Sequence, residues 1–188
     1  MDLPAILKTF RGLILDGDGV LFNGEETRFV LPDGHVVMGK TRHHVDGQGI
    51  SFLRALGIRI VFATGEGQPL DSIVEKLNGL PSARSGEWAP IELFTGELQK
   101  GGKIASIETW MQKYGLTWDE CAYIGDDRND LEAMRRVGLA AAPADAQRLI
   151  RKIAHVVLKR DGGRGAVREF AEMVLDARGV DESTLPVA

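Results

Sequence analysis

Cysteine is nearly absent from this chain. Among 188 residues only Cys121 occurs, so no internal disulfide can form, and its place in an apolar run makes it a small core residue of a protein from a reducing compartment. Positive charge is not in excess either: 23 Lys and Arg stand against 27 Asp and Glu, for a net charge of -4, which argues against a nucleic-acid partner. The opening residues, Met1 to Lys8, hold an early acid and a proline but no long apolar stretch. Neither a signal peptide nor a membrane span is therefore expected, and the cytoplasm is the expected location. Internal repeats and low-complexity tracts are missing as well. No Gly-x-Gly-x-x-Gly fingerprint follows the first expected strand, which argues against a hydride-transferring enzyme.

What is present is ordinary in amount and unusual in arrangement. With 44% hydrophobic and 27% charged residues, the length suits one domain, 1–188, with a substantial core. From Gly12 to Gly24 an apolar run, Leu13, Ile14 and Leu15, ends abruptly in Asp16-Gly17-Asp18-Gly19. An unbroken short apolar run is the pattern of a buried parallel strand. In an open α/β sheet, ligands bind beyond the carboxyl ends of the strands, where Asp16 and Asp18 would project. Acids held that close repel unless a cation or a shared proton relieves them, and magnesium is the simplest cation to do so. The other reading is an acidic turn in which Asp caps the next helix.

The rest of the chain alternates strands and helices. Residues 25–40, built around Leu31-Pro32-Asp33-Gly34, read as a β-hairpin projecting as a flap above the carboxyl edge. A helix from Asp46 to the stop at Gly57 and a strand from Ile58 to Ala63 complete one crossover. A helix on Ile73 and Leu77 follows, then an irregular connection from Pro81 to Gly102 with one short strand at Ile91 to Phe94. Lys103 to Tyr114 is helical, Thr117 and Glu120 have capping-box spacing, and Cys121 to Gly125 is a strand. The pattern then predicts a helix through Leu131, Met134 and Val137, a short apolar segment from Leu139 to Ala142, and a helix from Ala144 to Ile153. A last strand at His155 to Leu158 and a helix from Gly165 to Ala177 precede a tail, 179–188, with little to bury. The fold class expected is α/β, a doubly wound Rossmann-like parallel sheet.

Polar groups gather at successive strand ends: Asp16 and Asp18, then Thr64, then Gly125-Asp126-Asp127 with Asn129 and Asp130, while Lys103 opens the preceding helix. Singly, each has a plain reading. Thr64 suits a helix cap, Lys103 a solvated side chain, and Asp126 to Asp130 an acidic helix start that complements the helix dipole. Together they supply a nucleophile, a proton donor, a metal clamp and donors for transferring oxygens, the parts that phosphoryl transfer requires.

These residues resemble the haloacid dehalogenase superfamily of phosphatases, whose four motifs match Asp16-x-Asp18, Thr64, Lys103 and Gly125-Asp126-Asp127-x-x-Asp130 over nearly the whole chain. The chain is most similar to the small capless branch acting on 3-deoxy-D-manno-octulosonate 8-phosphate. The likeness lies in Asp18-Gly19-Val20-Leu21, the hairpin, Asp46-Gly47-x-Gly49-Ile50, Ala122 to Asp127, and the run from Gly162 to Glu169. Relatives in that branch handle 9-phosphates of nine-carbon keto acids, or form the C-terminal domain of sialic acid activating enzymes.

The resemblance implies a phosphomonoesterase with no cap domain, working on a sugar acid phosphate in lipopolysaccharide or sialic acid-type biosynthesis. Asp16 is then the nucleophile that forms an aspartyl-phosphate, and Asp18 the acid and base. Mg2+ is held by Asp16, the main-chain carbonyl of Asp18 and Asp126, with Asp127 and Asp130 behind them. Thr64 and the main-chain N–H groups of Gly17 and Gly65 bind phosphoryl oxygens, and Lys103 offsets the negative charge.

The family's capless members are homotetramers whose hairpins close the sites between chains, and the apolar hairpin here implies the same. The chain departs from the pattern where Glu66-Gly67 follows Thr64-Gly65 in place of the usual Arg, where Val45 precedes Asp46, and at Phe22. These positions surround the phosphoryl machinery, so Glu66 enters as a substrate-side residue that repels anions. His43 and His44 are cationic substitutes or simply solvated. Two rival readings follow: a phosphatase that has moved to another sugar phosphate, and a non-catalytic tetramerising companion of a sugar-nucleotide enzyme.

Overall fold

The computed structural model describes residues 2–65, 67–95 and 102–186. It opens with a helix α1 (Leu3–Thr9) and a strand β1 (Gly12–Leu15). An antiparallel pair follows, β2 (Glu26–Val30) and β3 (Val36–Lys40), and then α2 (His44–Ala55), β4 (Arg59–Ala63) and α3 (Leu70–Asn78). After a single-turn α4 (Pro81–Arg84) come β5 (Glu92–Phe94), α5 (Gly102–Tyr114) and β6 (Cys121–Ile124). The chain closes through α6 (Leu131–Met134), β7 (Leu139–Ala142), α7 (Arg148–Ile153), β8 (Val156–Val157) and α8 (Ala166–Arg178).

Six strands form one sheet in the order β5-β4-β1-β6-β7-β8, and every pairing in it is parallel. β1 sits between β4 and β6, with Leu13, Ile14 and Leu15 fully buried, because a strand covered on both faces has no side that can be polar. The strand period of two divides the core. Leu13, Leu15, Phe62 and Ile124 pack with Phe10, Ile50 and Phe170 from the α1, α2 and α8 side, whereas Ile14, Val61 and Tyr123 pack with Ile107, Trp110 and Met134 from α5 and α6. From β1 the chain winds outward to β5, then returns past β1 to β6 and continues outward to β8. The reversal makes the carboxyl ends of β1, β4 and β6 the switch point where such folds bind ligands. The doubly wound parallel sheet expected from the sequence is the architecture observed.

Five elements differ from the sequence pattern. Pro81–Arg84, inside the connection read as irregular, forms the single turn α4, with the Arg84 N–H bonded to the Leu80 carbonyl at 3.0 Å; the other four differ for tertiary reasons. α1, which the pattern does not predict, is started by Asp2 accepting the Ala5 N–H at 3.3 Å and is held by Leu7 and Phe10 in the core. The helix expected to run through Val137 ends at Met134, because the Gly138 N–H bonds to the Trp118 carbonyl at 2.9 Å and draws the chain toward the sheet. Leu139 to Ala142, read only as an apolar segment, is the strand β7 between β6 and β8. The helix expected from Ala144 starts only at Arg148. Its first residues bond elsewhere: the Ala144 N–H to the Arg160 carbonyl at 3.0 Å and the Gln147 N–H to the Asp126 carbonyl at 2.9 Å.

β2 and β3 form a separate two-stranded sheet, registered from Glu26 opposite Lys40 to Val30 opposite Val36. Phe29, Val30 and Met38 in it are 54%, 66% and 51% exposed. Asp46, at the start of α2, is fully buried and accepts the N–H groups of Gly165 at 3.1 Å and Arg168 at 3.0 Å, which clasps α2 to the start of α8. At the same start of α8, the Arg168 side chain pairs with Glu182 from the C-terminal segment at 2.6 Å. No helix among the described residues is long and apolar enough to cross a membrane.

Candidate active site

Asp16 follows β1 directly, its N–H bonded to the Ile124 carbonyl of β6 at 3.1 Å, so the sheet ladder itself aims the carboxylate. Beside it, at the end of β6, the chain turns through Gly125-Asp126-Asp127 and folds back so that Asp130 enters the interior. A side chain at Gly125 would meet Asp130 Cγ at 2.6 Å, which is why glycine stands there. Lys103, near the start of α5, donates to Asp16 Oδ1 at 3.0 Å and to Asp130 Oδ1 at 2.6 Å. Asp130 Oδ1 also accepts the Tyr123 hydroxyl at 2.7 Å, and Oδ2 accepts the N–H groups of Asp126 at 2.9 Å and Asp127 at 3.2 Å. With its oxygens so occupied, Asp130 is a strut that fixes its neighbours.

Asp126 is the opposite case. Its Oδ1 is buried and has no hydrogen-bond partner among the described residues, a costly state for a carboxylate unless something cationic meets it. Its other oxygen lies against Gly19, where a side chain would come within 2.0 Å, at a backbone φ of +72° that itself favours glycine. Carboxylate oxygens of Asp16, Asp126 and Asp130 lie within 4.8 Å of one another.

The electrostatics follow from this crowding. Burial, and then the Asp130 charge, push the Asp16 carboxyl up to about 6 against the pull of Lys103. Burial, followed by Asp130 and Asp16, takes Asp126 up to about 8. For Lys103, burial works against the ammonium, but Asp130 and Asp16 outweigh it and the net shift is upward. The site thus carries more carboxylates than it can keep ionised unaided. A divalent cation with a preference for oxygen ligands fits this donor set, and the partnerless Asp126 oxygen is the observation that says so.

The other residues singled out from the sequence fall as follows. Thr64 directly follows β4 and is almost completely buried, and a side chain at Gly17 would meet its hydroxyl at 3.1 Å, so the two share one wall of the site. Gly65 is exposed and has nothing within 4 Å of where a side chain would start. Glu66 lies outside the described residues. Asp127 caps the turn Arg128–Asp130 and accepts from the Gln147 side chain. Asp18 is not in the carboxylate cluster; its oxygens accept from Lys40 Nζ at 2.7 and 2.9 Å. Sequence reasoning passed over Lys40 and Tyr123. Lys40 closes the hairpin, and a lysine at a strand end bordering an Asp-rich loop was the available signal, whereas Tyr123 reads from sequence only as core.

Residues 58–169 match the family described as haloacid dehalogenase-like hydrolase, and the chain belongs to that family. It is 31% identical to the 3-deoxy-D-manno-octulosonate 8-phosphate phosphatase of Haemophilus influenzae over 92% of this chain and 87% of that protein. A crystal structure of the same phosphatase from Yersinia pestis superposes with a TM-score of 0.77 at 30% identity, covering 95% of this chain and 87% of that one. The Moraxella catarrhalis phosphatase, solved in complex with magnesium, phosphate and a KDO molecule, superposes with a TM-score of 0.75 at 26% identity, covering 94% of this chain and 91% of that one. Within the family this chain is a phosphoric monoester hydrolase.

Proposed function

We propose that the chain is a magnesium-dependent phosphatase of a phosphorylated 2-keto-3-deoxy sugar acid, 3-deoxy-D-manno-octulosonate 8-phosphate or a nine-carbon analogue, acting in the cytoplasm through an aspartyl-phosphate on Asp16. The observation that carries the reading is the almost buried Lys103 bridging Asp16 and Asp130 beside the partnerless Asp126 oxygen. That arrangement holds a carboxylate aimed and ionised where a phosphate would dock. The substrate in the name of one relative and the KDO molecule bound to another support the sugar acid.

In this reading Lys103 holds one Asp16 oxygen and leaves the other to attack phosphorus, forming an Asp16 O–P bond as the ester P–O bond breaks. Asp18 passes a proton to the departing sugar oxygen. In the second half, water attacks phosphorus, Asp18 takes the water's proton, and Asp16 and inorganic phosphate are released. Thr64, with the main-chain N–H groups of Gly17 and Gly65, donates to phosphoryl oxygens. Asp16, the Asp18 carbonyl and Asp126 would hold the magnesium ion, which supplies positive charge to the phosphoryl group. Asp127 and Asp130 orient these groups. The exposed apolar hairpin supports a homotetramer in which the hairpins are covered by neighbouring copies.

Phosphate release across simple sugar phosphates and the eight- and nine-carbon keto-acid phosphates, with magnesium and with chelator, tests the assignment. The expected outcome is magnesium-dependent turnover concentrated on one keto-acid phosphate, lost by roughly 10³-fold or more in Asp16→Asn. Release from simple esters alone would reject the substrate, and near-normal rates in Asp16→Asn would reject the nucleophile.

A further inference from the structure

The hairpin is exposed along its length but not at its base. The Lys40 side chain, last in β3, is only 6% exposed. Its ammonium donates to both oxygens of Asp18, at 2.7 and 2.9 Å. It stands 3.5 Å from Glu26, its register partner across the hairpin, and 5.9 Å from the centre of the Phe22 ring. A charge-assisted contact to both oxygens of one carboxylate restricts that group far more than a single bond does, and here it is largely screened from water. The restriction falls on a residue that otherwise has freedom: Asp18 lies between Gly17 and Gly19, and its side chain is 36% exposed.

We propose that Lys40 is a positioning residue that holds the Asp18 side chain in place, keeping one oxygen while the other carries the proton to the ester oxygen, and so ties proton transfer in the site to the seating of the hairpin. The inference rests on the role given to Asp18 above. A group that moves a proton must stay within hydrogen-bond reach of its target, and a displacement of about 1 Å costs on the order of 10² in rate. The Asp16 side of the site is aimed by the sheet, by Lys103 and by Asp130. Asp18 has Lys40. The plainer role for such a pair, pinning the hairpin to the domain, would affect every substrate alike.

Leaving-group dependence separates the two roles. kcat/KM reports the first irreversible step, departure of the leaving group. That step needs the Asp18 proton when an alkoxide leaves and hardly needs it when p-nitrophenolate leaves. The experiment measures kcat/KM for p-nitrophenyl phosphate and for 3-deoxy-D-manno-octulosonate 8-phosphate, or for ribose 5-phosphate if the former is not turned over. The proteins compared are wild type, Lys40→Met, Lys40→Arg and Asp18→Asn. Lys40→Met should lower the alkyl-to-aryl ratio on the order of tenfold, in the same direction as Asp18→Asn, and Lys40→Arg should recover most of the loss.

An equal fall on both esters, or no change in the ratio, would overturn the inference while leaving Asp18 as acid and base. A ratio unmoved in Asp18→Asn would instead reject the proton-transfer role itself, and the inference with it. Residual turnover of the aryl ester shows that each variant is folded.

Discussion

The carboxylate cluster and the hairpin lie near each other in the molecule and are built in opposite ways. In the cluster Asp130 is gripped from several elements: β6 supplies Tyr123, α5 supplies Lys103, which also holds Asp16, and the turn after β6 supplies main-chain N–H groups. Among the described residues the hairpin strands pair only with each other, and they show Phe29, Val30, Val37 and Met38 to solvent. A two-stranded ribbon is marginal in water without a surface to lean on. The contrast teaches where each region's specification comes from. Crowded charge over-determines the cluster from within one chain, whereas the hairpin's apolar faces lie open in the single chain, with the Lys40–Asp18 pair as a link between the two regions.

Breaking the strut should have the largest effect on this contrast. Asp130→Ala strips Lys103, Tyr123 and two main-chain donors of a common partner and should cost about 3 kcal/mol of stability, the scale for breaking a buried ion pair. Denaturant unfolding measures it. A loss below about 1 kcal/mol would mean that the cluster is not held from within.

An intermediate effect should appear with pH. In the metal-free protein Asp16, at about 6, and Asp126, at about 8, both titrate above the ordinary value of 3.8. The folded state then binds more protons than the unfolded chain between these values, so these groups make stability fall as pH rises from 3.8 through about 8. Magnesium needs the same groups ionised and should raise Tm most at the alkaline end. Melting curves with magnesium and with chelator across that range check the sign, and a magnesium-induced gain largest at the acid end would contradict it.

The smallest change in stability should come from the hairpin. Val37→Lys, at an exposed strand position, should alter unfolding of the separate chain by no more than about 0.5 kcal/mol. It should still shift sedimentation toward smaller species if copies cover one another's hairpins. Unchanged sedimentation of an oligomer would place its interface elsewhere.

How far the sequence could be read follows from the range of each interaction. The strands β1, β4 and β6 were legible because a strand buried on both faces must be apolar along its own length, and residues at its end must be polar to meet a ligand. Asp16, Thr64 and Asp126 were visible for the same local reason. β7 was harder to recognise because Leu139-Ala140-Ala141-Ala142 has strong strand character only once β6 and β8 flank it. α1 owes its existence to a core made mostly by residues far along the chain.

By itself, then, the sequence determined the alternation of elements, the acids and hydroxyl that stand at the strand ends, and the hairpin with its apolar faces, since each is a pattern written over a few adjacent residues. Tertiary structure alone decided that Asp130 is a saturated strut while Asp126 keeps a bare oxygen, that Lys103 reaches both Asp16 and Asp130, and that Lys40 reaches Asp18. Those outcomes depend on side chains brought together from distant parts of the chain, where burial and partner geometry set the charge and aim of each group, and no local pattern carries that information.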